Sequence, residues 1–185
     1  MRPAAILETT MSQYPTFETE RLILRLTELE DAPFILELFN SPKWIQFIGD
    51  RNLRTIEQAE KYITERMRAQ LAHYDFSNYT VIRKDDQLKL GNCGLYDREG
   101  LGGIDIGFAF LPQYEGKGYA YEAANELKKQ AFTRFNLQEL HAITDKENIG
   151  SQRLIEKLGL RFKKYITLPD DKEEIMLYSV QKEST

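Results

Sequence analysis

Apolar residues recur along this chain with two different periods, and the changes between them mark out its elements. Arg21 to Leu26, RLILRL, alternates polar and apolar and predicts a strand. DAPFILELF follows, with Pro33 early in a helix, where its missing N–H costs nothing, and an apolar face of Phe34, Ile35, Leu38 and Phe39. NSPKWIQFIGDRN reads as a loop. Thr55 and Gln58 then stand at capping-box spacing and open a helix to about His73, with Ala59, Tyr62, Ile63, Met67 and Leu71 as its stripe. YTVIRK and LKLGNCGLYD flank DDQ as a predicted hairpin, and Gly103 to Leu111 is a third strand run carrying Ile104, Ile106 and Phe108 on one face. Gly91, Gly94 and Gly107 within these runs suggest bulges or close backbone approach. Ala120, Ala123, Ala124, Leu127, Ala131 and Phe135 keep helical spacing with mostly small residues, which suit a helix lying close to a sheet. Leu137 to Thr144 predicts a strand, and Asn148 caps a short helix stopped by Gly159. RFKKYITL and EIMLYSV close the chain as a hairpin. The order β-α-α-β-β-β-α-β-α-β-β, with no repeat or internal linker, predicts one α/β domain with a mixed sheet over residues 16–182. The segment EIMLYSV is expected as a sheet edge on which two subunits could pair, so monomer and homodimer both stay open.

Composition narrows the function classes. Hydrophobic residues make up 42% and charged residues 29%, as in soluble globular proteins. The net charge of −4, without Lys/Arg runs beyond pairs, argues against a nucleic-acid partner. No stretch approaches the ~18 apolar residues of a membrane span. Cys93 is the single cysteine, so no internal disulfide forms, and a reducing, cytoplasmic compartment is expected. Met1 to Pro15 has one Arg and a short apolar patch, reads as a loosely ordered leader rather than a signal peptide, and contains a second candidate start at Met11.

One junction carries chemistry. QYEGKGYAYEAANEL, Gln113 to Leu127, begins as a glycine-spaced loop and ends as a helix. A helix N-terminus presents unpaired N–H groups and partial positive charge, which together suit an anion. Gly116 and Gly118 remove the Cβ atoms that would hold a phosphate away, and Lys117 adds a cation. A plain tight turn is the competing reading. The dinucleotide fingerprint fails because position 121 is Tyr, and the nucleoside-triphosphate loop fails because Gly118 follows Lys117.

Gln113-x-x-Gly116-x-Gly118 between a strand and a helix resembles the Q/R-x-x-G-x-G/A motif of the GNAT (GCN5-related) N-acetyltransferases. Asn148-x-x-Ser151 followed by Glu156-Lys157-x-Gly159 is similar to that family's second signature. FETERLILRLTELED resembles the opening of the branch that includes ribosomal-protein N-terminal alanine/serine acetyltransferases. The resemblance covers about Phe17 to Val180.

The resemblance implies the family fold, a mixed and mostly antiparallel sheet flanked by helices. It implies acetyl-CoA as acyl donor and no metal. The pyrophosphate would lie on the amides of Glu115, Gly116, Lys117, Gly118, Tyr119 and Ala120, in the loop opened by Gln113. The pantetheine arm would run along Phe108, Ala109 and Phe110, with Asn148 contacting it or acting only as a helix cap. The acceptor is then a primary amine: a protein N-terminus, or a small molecule such as an amino sugar, polyamine or antibiotic. A non-catalytic acyl-CoA sensor is the reading from another class.

A neutral amine must attack the thioester, so a base is wanted, while a thiol of pKa about 8.5 already leaves fairly well. Many members of the family carry a tyrosine acid seven residues after the asparagine; here that position is Ile155. Ser151 is the candidate for bonding the departing sulfur, with a first-turn helix serine as its bland alternative. Asp105 is the candidate base, sharing a strand face with Gly107 and Ala109, and the alternative is an exposed strand carboxylate. His141 suits a satisfied core histidine better than a base, His73 a helix end, and Cys93 a small core residue better than a nucleophile. Trp44, Phe47 and Ile48 in the first loop, with Tyr96 and Tyr165, are candidates to shape the acceptor side or to pack the core.

Overall fold

The computed structural model describes residues 14–184. Of the expected leader, Met1 to Gln13 fall outside the described residues; Tyr14 packs against the core. The strand β1 (Phe17–Glu18) pairs antiparallel with β2 (Leu22–Leu26). A short turn over Leu29–Asp31 leads into α1 (Ala32–Phe39), with Pro33 in its first turn as expected. Next come α2 (Pro42–Phe47) and α3 (Ile56–Tyr62). The predicted box at the start of α3 forms, with Thr55 and Gln58 each accepting from the other's backbone N–H. A π-helical turn, Ile63–Met67, continues α3 into α4 (Arg68–Tyr74).

Then follow β3 (Asn78–Arg83), β4 (Lys89–Asp97) and β5 (Ile104–Phe110). The chain ends with α5 (Tyr119–Thr133), β6 (Glu139–Thr144), α6 (Ile149–Lys157), β7 (Arg161–Ile166) and β8 (Ile175–Gln181).

All eight strands form one sheet in the order β1-β2-β3-β4-β5-β6-β8-β7. Every pairing is antiparallel except β5 with β6. Two expectations need correction. The segment NSPKWIQFIGDRN is not all loop: α2 forms within it because Trp44 stacks on Phe39 of α1, centroids 3.8 Å apart and 16° from parallel. A single helical turn is too short to show a period, so only this stack reveals it. The segment EIMLYSV is not an edge, because β8 inserts between β6 and β7 and is paired on both sides. The outer strand is β7.

The sheet's two faces differ in chemistry. On one, α5 lays Ala123, Ala124, Leu127 and Ala131 against Leu22, Leu24, Tyr79, Val81, Cys93, Leu95 and Ile106. The small side chains let the helix approach closely, as their pattern predicts. Helices α1 to α3 and the π-helical turn build a second cluster from Phe34, Ile35, Leu38, Phe39, Trp44, Ala59, Ile63 and Met67.

The sheet face on that second side is polar and fully paired over much of its width. Asp31, wholly buried, accepts from Arg25 Nη1 at 2.7 Å and Nη2 at 2.9 Å, from Lys89 Nζ at 2.6 Å and from Thr80 Oγ1 at 3.1 Å. Thr80 meets Thr27 at 3.0 Å; Asn92 Nδ2 donates to Thr27 Oγ1 at 3.2 Å, and Asn78 Nδ2 to Asn92 Oδ1 at 3.0 Å. A buried polar face is tolerable only when its groups are satisfied in this way.

Burial pushes the Asp31 carboxyl up, but the hydrogen bonds from Arg25, Lys89 and the Glu28 N–H outweigh it and hold the group below its ordinary 3.8. A lowered carboxyl contributes stability that is complete above the unfolded-state value and is lost as pH falls through the folded one. Asp31→Asn should therefore cost about 2–3 kcal/mol in urea unfolding at pH 7, discounted because both cations are partly exposed. The difference between variant and wild type should shrink only below about pH 3.8.

Candidate active site

The strands β5 and β6 share one register pair, Asp105 with His141. Seven pairs bind β5 to β4 on its other side, and six bind β6 to β8. Beyond Asp105, Ile106 to Phe110 have no strand partner on the β6 side among the described residues, so the sheet opens there. Phe108 and Ala109, expected along the pantetheine arm, lie half-buried on this unpaired stretch, with Phe110 buried at its end.

The opening runs directly into the glycine loop. Leu111 and the turn Pro112–Tyr114, which holds Gln113, connect β5 to Glu115. Gly116 and Gly118 stand at φ 71° and 82°, where a Cβ is disfavoured. Gly118 immediately precedes α5 and offers no side-chain cap. The first hydrogen bond within the helix runs from Glu122 N to Gly118 O at 3.1 Å. The amides of Tyr119, Ala120 and Tyr121 thus lack helical acceptors at the positive end of a 15-residue helix. This is the arrangement an anion requires, and the residues present fit a pyrophosphate.

The loop is held by neighbours the motif does not name. Glu115 forms an ion pair with Lys43 of α2. Arg83 Nη1 donates to the Tyr119 hydroxyl at 3.2 Å. Arg21 approaches from the β1–β2 turn and donates Nη1 to the Lys117 carbonyl at 3.1 Å. Neither Arg83 nor Arg21 had a sequence signal of its own, since both act from segments far away in the chain.

Across the opening, α6 begins at Asn148. Its Oδ1 accepts from the Ser151 N–H at 3.2 Å, so the cap is real. The Ser151 side chain is half-buried at the same helix end as Asn148. Ile155, where many of the family place a tyrosine, is 1% exposed and packs in the core beside Leu158 and Leu160.

Asp105 is not the exposed strand carboxylate of the bland reading. It is 1% exposed; Oδ1 accepts from Arg98 Nε at 2.8 Å, and Oδ2 has no hydrogen-bond partner. Burial raises its pKa above the ordinary carboxylate value, and the Arg98 guanidinium only partly offsets this. A buried carboxylate oxygen without a partner is costly unless something binds there. Its register partner His141 also carries a buried Nδ1 without a partner, while Nε2 lies 3.8 Å from Glu139 Oε2.

Tyr96 stands opposite Asp105 on β4. Its hydroxyl accepts from Asn78 Nδ2 at 2.9 Å and donates to Asn92 Oδ1 at 3.3 Å. Its ring occupies the space above Gly94 and Gly107, where any Cβ would collide with it. Gly91 meets the expected close backbone approach, at the Ala109 carbonyl, whereas at Gly94 and Gly107 the closest neighbour is the Tyr96 side chain instead. Trp44 is buried with its indole N–H unpartnered, and Phe47 is half-buried on the same helix. Tyr165 lies exposed on β7 beside Phe162. Cys93 is fully buried and its thiol pushed up by burial, His73 packs edge-on to Tyr74, and neither joins the site.

Among the described residues there is no group of three or more His, Cys, Asp or Glu side chains able to hold a metal, and no helix long and apolar enough to cross a membrane. A split sheet feeding an uncapped helix N-terminus is the α/β architecture that the sequence resemblance implies. The family model for the acetyltransferase (GNAT) domain matches residues 21–161, and the chain belongs to that family of acetyltransferase enzymes. It is 28% identical over 169 residues to the uncharacterized N-acetyltransferase YnaD of Bacillus subtilis strain 168, covering 89% of this chain and 96% of that protein.

A crystal structure of a GNAT-family acetyltransferase from Bacillus anthracis superposes with a TM-score of 0.75 at 26% identity, over 90% of this chain and 98% of the other. RimL, a ribosomal L7/L12 alpha-N-protein acetyltransferase solved in complex with coenzyme A, shares the fold at a TM-score of 0.73 and 14% identity, over 90% of this chain and 98% of its own.

The loop geometry makes a direct prediction. Gly116→Ala should lose about 1 kcal/mol in urea unfolding from backbone strain alone, since nothing lies within 4 Å of the new Cβ. Gly118→Ala should lose at least as much, because its Cβ would also press on Arg21 Nη2 at 3.3 Å.

Proposed function

We propose that the protein transfers an acetyl group from acetyl-CoA to a primary amine by direct attack in a ternary complex, with a protein N-terminal amine as the acceptor class. The observation that carries this reading is the unpaired run of β5 ending in the uncapped glycine loop. A long anion with an amide-bearing arm needs a strand edge and a positive pole in series. Phe108, Ala109 and Phe110 would pair with the arm, Gln113 to Ala120 would hold the pyrophosphate, and Asn148 would contact the arm from across the opening.

Asp105 acts as base in this scheme. An ammonium gives its proton to Oδ2, directly or through a water, and the neutral amine attacks the thioester carbon. The C–N bond forms, the C–S bond breaks, and the thiolate takes up the proton released from nitrogen. Ser151 Oγ would bond the departing sulfur. Ile155 leaves no hydroxyl at the family's usual acid position, a modest loss for so good a leaving group. Trp44, Phe47 and Tyr96 belong to the elements on the Asp105 face of the sheet, where the acceptor would enter. RimL's action as a ribosomal L7/L12 alpha-N-protein acetyltransferase is the support for a protein N-terminus. Small-molecule amines form the other arm of the acceptor screen. The buried Ile155 favours a second reading, a non-catalytic acyl-CoA sensor.

Acetyl-CoA at 100 times its dissociation constant should stabilise the fold by about 2.7 kcal/mol, a shift of roughly 5–10 °C, with NAD and ATP as inactive controls. Binding followed by thiol release with an amine supports the enzyme. Binding without release from any peptide or small amine supports the sensor, and no shift at high acetyl-CoA sinks both.

In the enzyme, Asp105→Asn should lower kcat by ~10²–10⁴-fold. Because burial raises the Asp105 pKa, wild-type kcat/KM should fall on the acid side at a pH above the ordinary carboxylate range, and the variant should lose that limb. An unchanged pH profile in the variant would remove Asp105 from the chemistry.

A further inference from the structure

The glycine loop rests on an arginine 96 residues earlier in the chain. In the β1–β2 turn, Thr19 Oγ1 donates to Glu122 Oε1 at 2.5 Å and accepts from Leu22 N at 3.0 Å. The Arg21 backbone N–H donates to the same carboxylate oxygen at 2.9 Å, and Arg21 Nε donates to Oε2 at 2.7 Å. The guanidinium is thereby oriented, and Nη1 reaches the Lys117 carbonyl at 3.1 Å. Its carbon stands 4.4 Å from the centre of the Tyr119 ring, and Nη2 lies 3.3 Å from where a Gly118 Cβ would be.

Glu122 is mostly buried beneath this turn. Burial pushes its carboxyl up, but the bonds from Thr19 and Arg21 prevail and hold it below its ordinary value, so the anchor stays charged.

A trans peptide points its carbonyl and its N–H in opposite directions. With the Lys117 carbonyl fixed on Arg21, the Gly118 N–H must face away from Arg21. The following amides, Tyr119 to Tyr121, are free because they begin the helix. Gly118, whose φ changes when this peptide flips, has positive φ and no Cβ, so the isolated loop has little resistance to the flip. A flipped peptide would offer an incoming anion a carbonyl oxygen instead of an N–H.

We propose that Arg21 is a positioning residue for the donor site: by holding the Lys117 carbonyl it aims the Gly118 N–H at the pyrophosphate of the acyl donor. The inference rests on the assignment of the Gly116–Gly118 loop to acetyl-CoA. Glu122 is the second member of the device, and its role is to hold Arg21.

The test compares two donors in the full-length protein, acetyl-CoA and S-acetylpantetheine, which lacks the pyrophosphate. Arg21→Met should raise KM for acetyl-CoA about tenfold with kcat little changed, as expected for one lost charge-assisted hydrogen bond. kcat/KM for S-acetylpantetheine should stay at the wild-type value. Arg21→Lys keeps the charge but cannot bond Glu122 and Lys117 in one plane, so it should shift acetyl-CoA in the same direction and decides the matter if Arg21→Met folds poorly. Equal losses with both donors, or no loss with acetyl-CoA, would overturn the inference while leaving the assignment of the loop intact. Wild-type protein that binds no acetyl-CoA in calorimetry would instead remove the assignment itself.

Discussion

A single parallel register pair, Asp105 with His141, joins the two halves of this sheet. β5 is committed to β4 through seven pairs and β6 to β8 through six, so each strand follows its own half-sheet once past that pair. The divergence leaves strand edge unpaired in the interior of a protein, which is costly unless a ligand supplies the missing bonds. Everything assigned to the donor lies on this opening or at its ends: Phe108 and Ala109 along one side, Asn148 and Ser151 on the other, and the glycine loop at its mouth. Asp105 stands where the separation begins.

The two sheet faces divide the work. The α5 face is apolar and close-packed, so the helix that carries the glycine loop at its N-terminus is fixed in place. The opposite face carries a continuous polar arrangement from Asp31 through Thr80, Thr27, Asn92 and Asn78 to Tyr96. Its members satisfy one another up to Tyr96. Satisfaction ends next door, at Asp105 Oδ2 and His141 Nδ1. Against a face that spends its hydrogen bonds so fully elsewhere, the Asp105 carboxylate stands out: Arg98 holds Oδ1 while Oδ2 has no partner.

Much of this was legible in the chain. Alternation in RLILRL, the Thr55–Gln58 box and the alanine-lined stripe from Ala120 to Ala131 report local geometry, and each formed as expected. The glycine loop was legible as a possible anion site because its chemistry is also local: two residues without Cβ before a helix. The short helix over Pro42–Phe47 was not, since it depends on Trp44 stacking against Phe39 rather than on any period of its own. The edge role expected for EIMLYSV failed for a similar reason, as a strand's neighbours are chosen by the whole sheet.

Sequence by itself determined most of the element types, the small-residue face of α5, the family motifs and the glycines that permit a positive-φ loop, because each follows from spacing along one segment. Tertiary structure decided the burial of Asp105 against Arg98, the cover of Gly94 and Gly107 by Tyr96, the core role of Ile155 and the anchoring of Lys117 by Arg21. The last joins segments 96 residues apart and the first two arise where β4 and β5 fold onto each other, and no local period encodes which side chain will arrive.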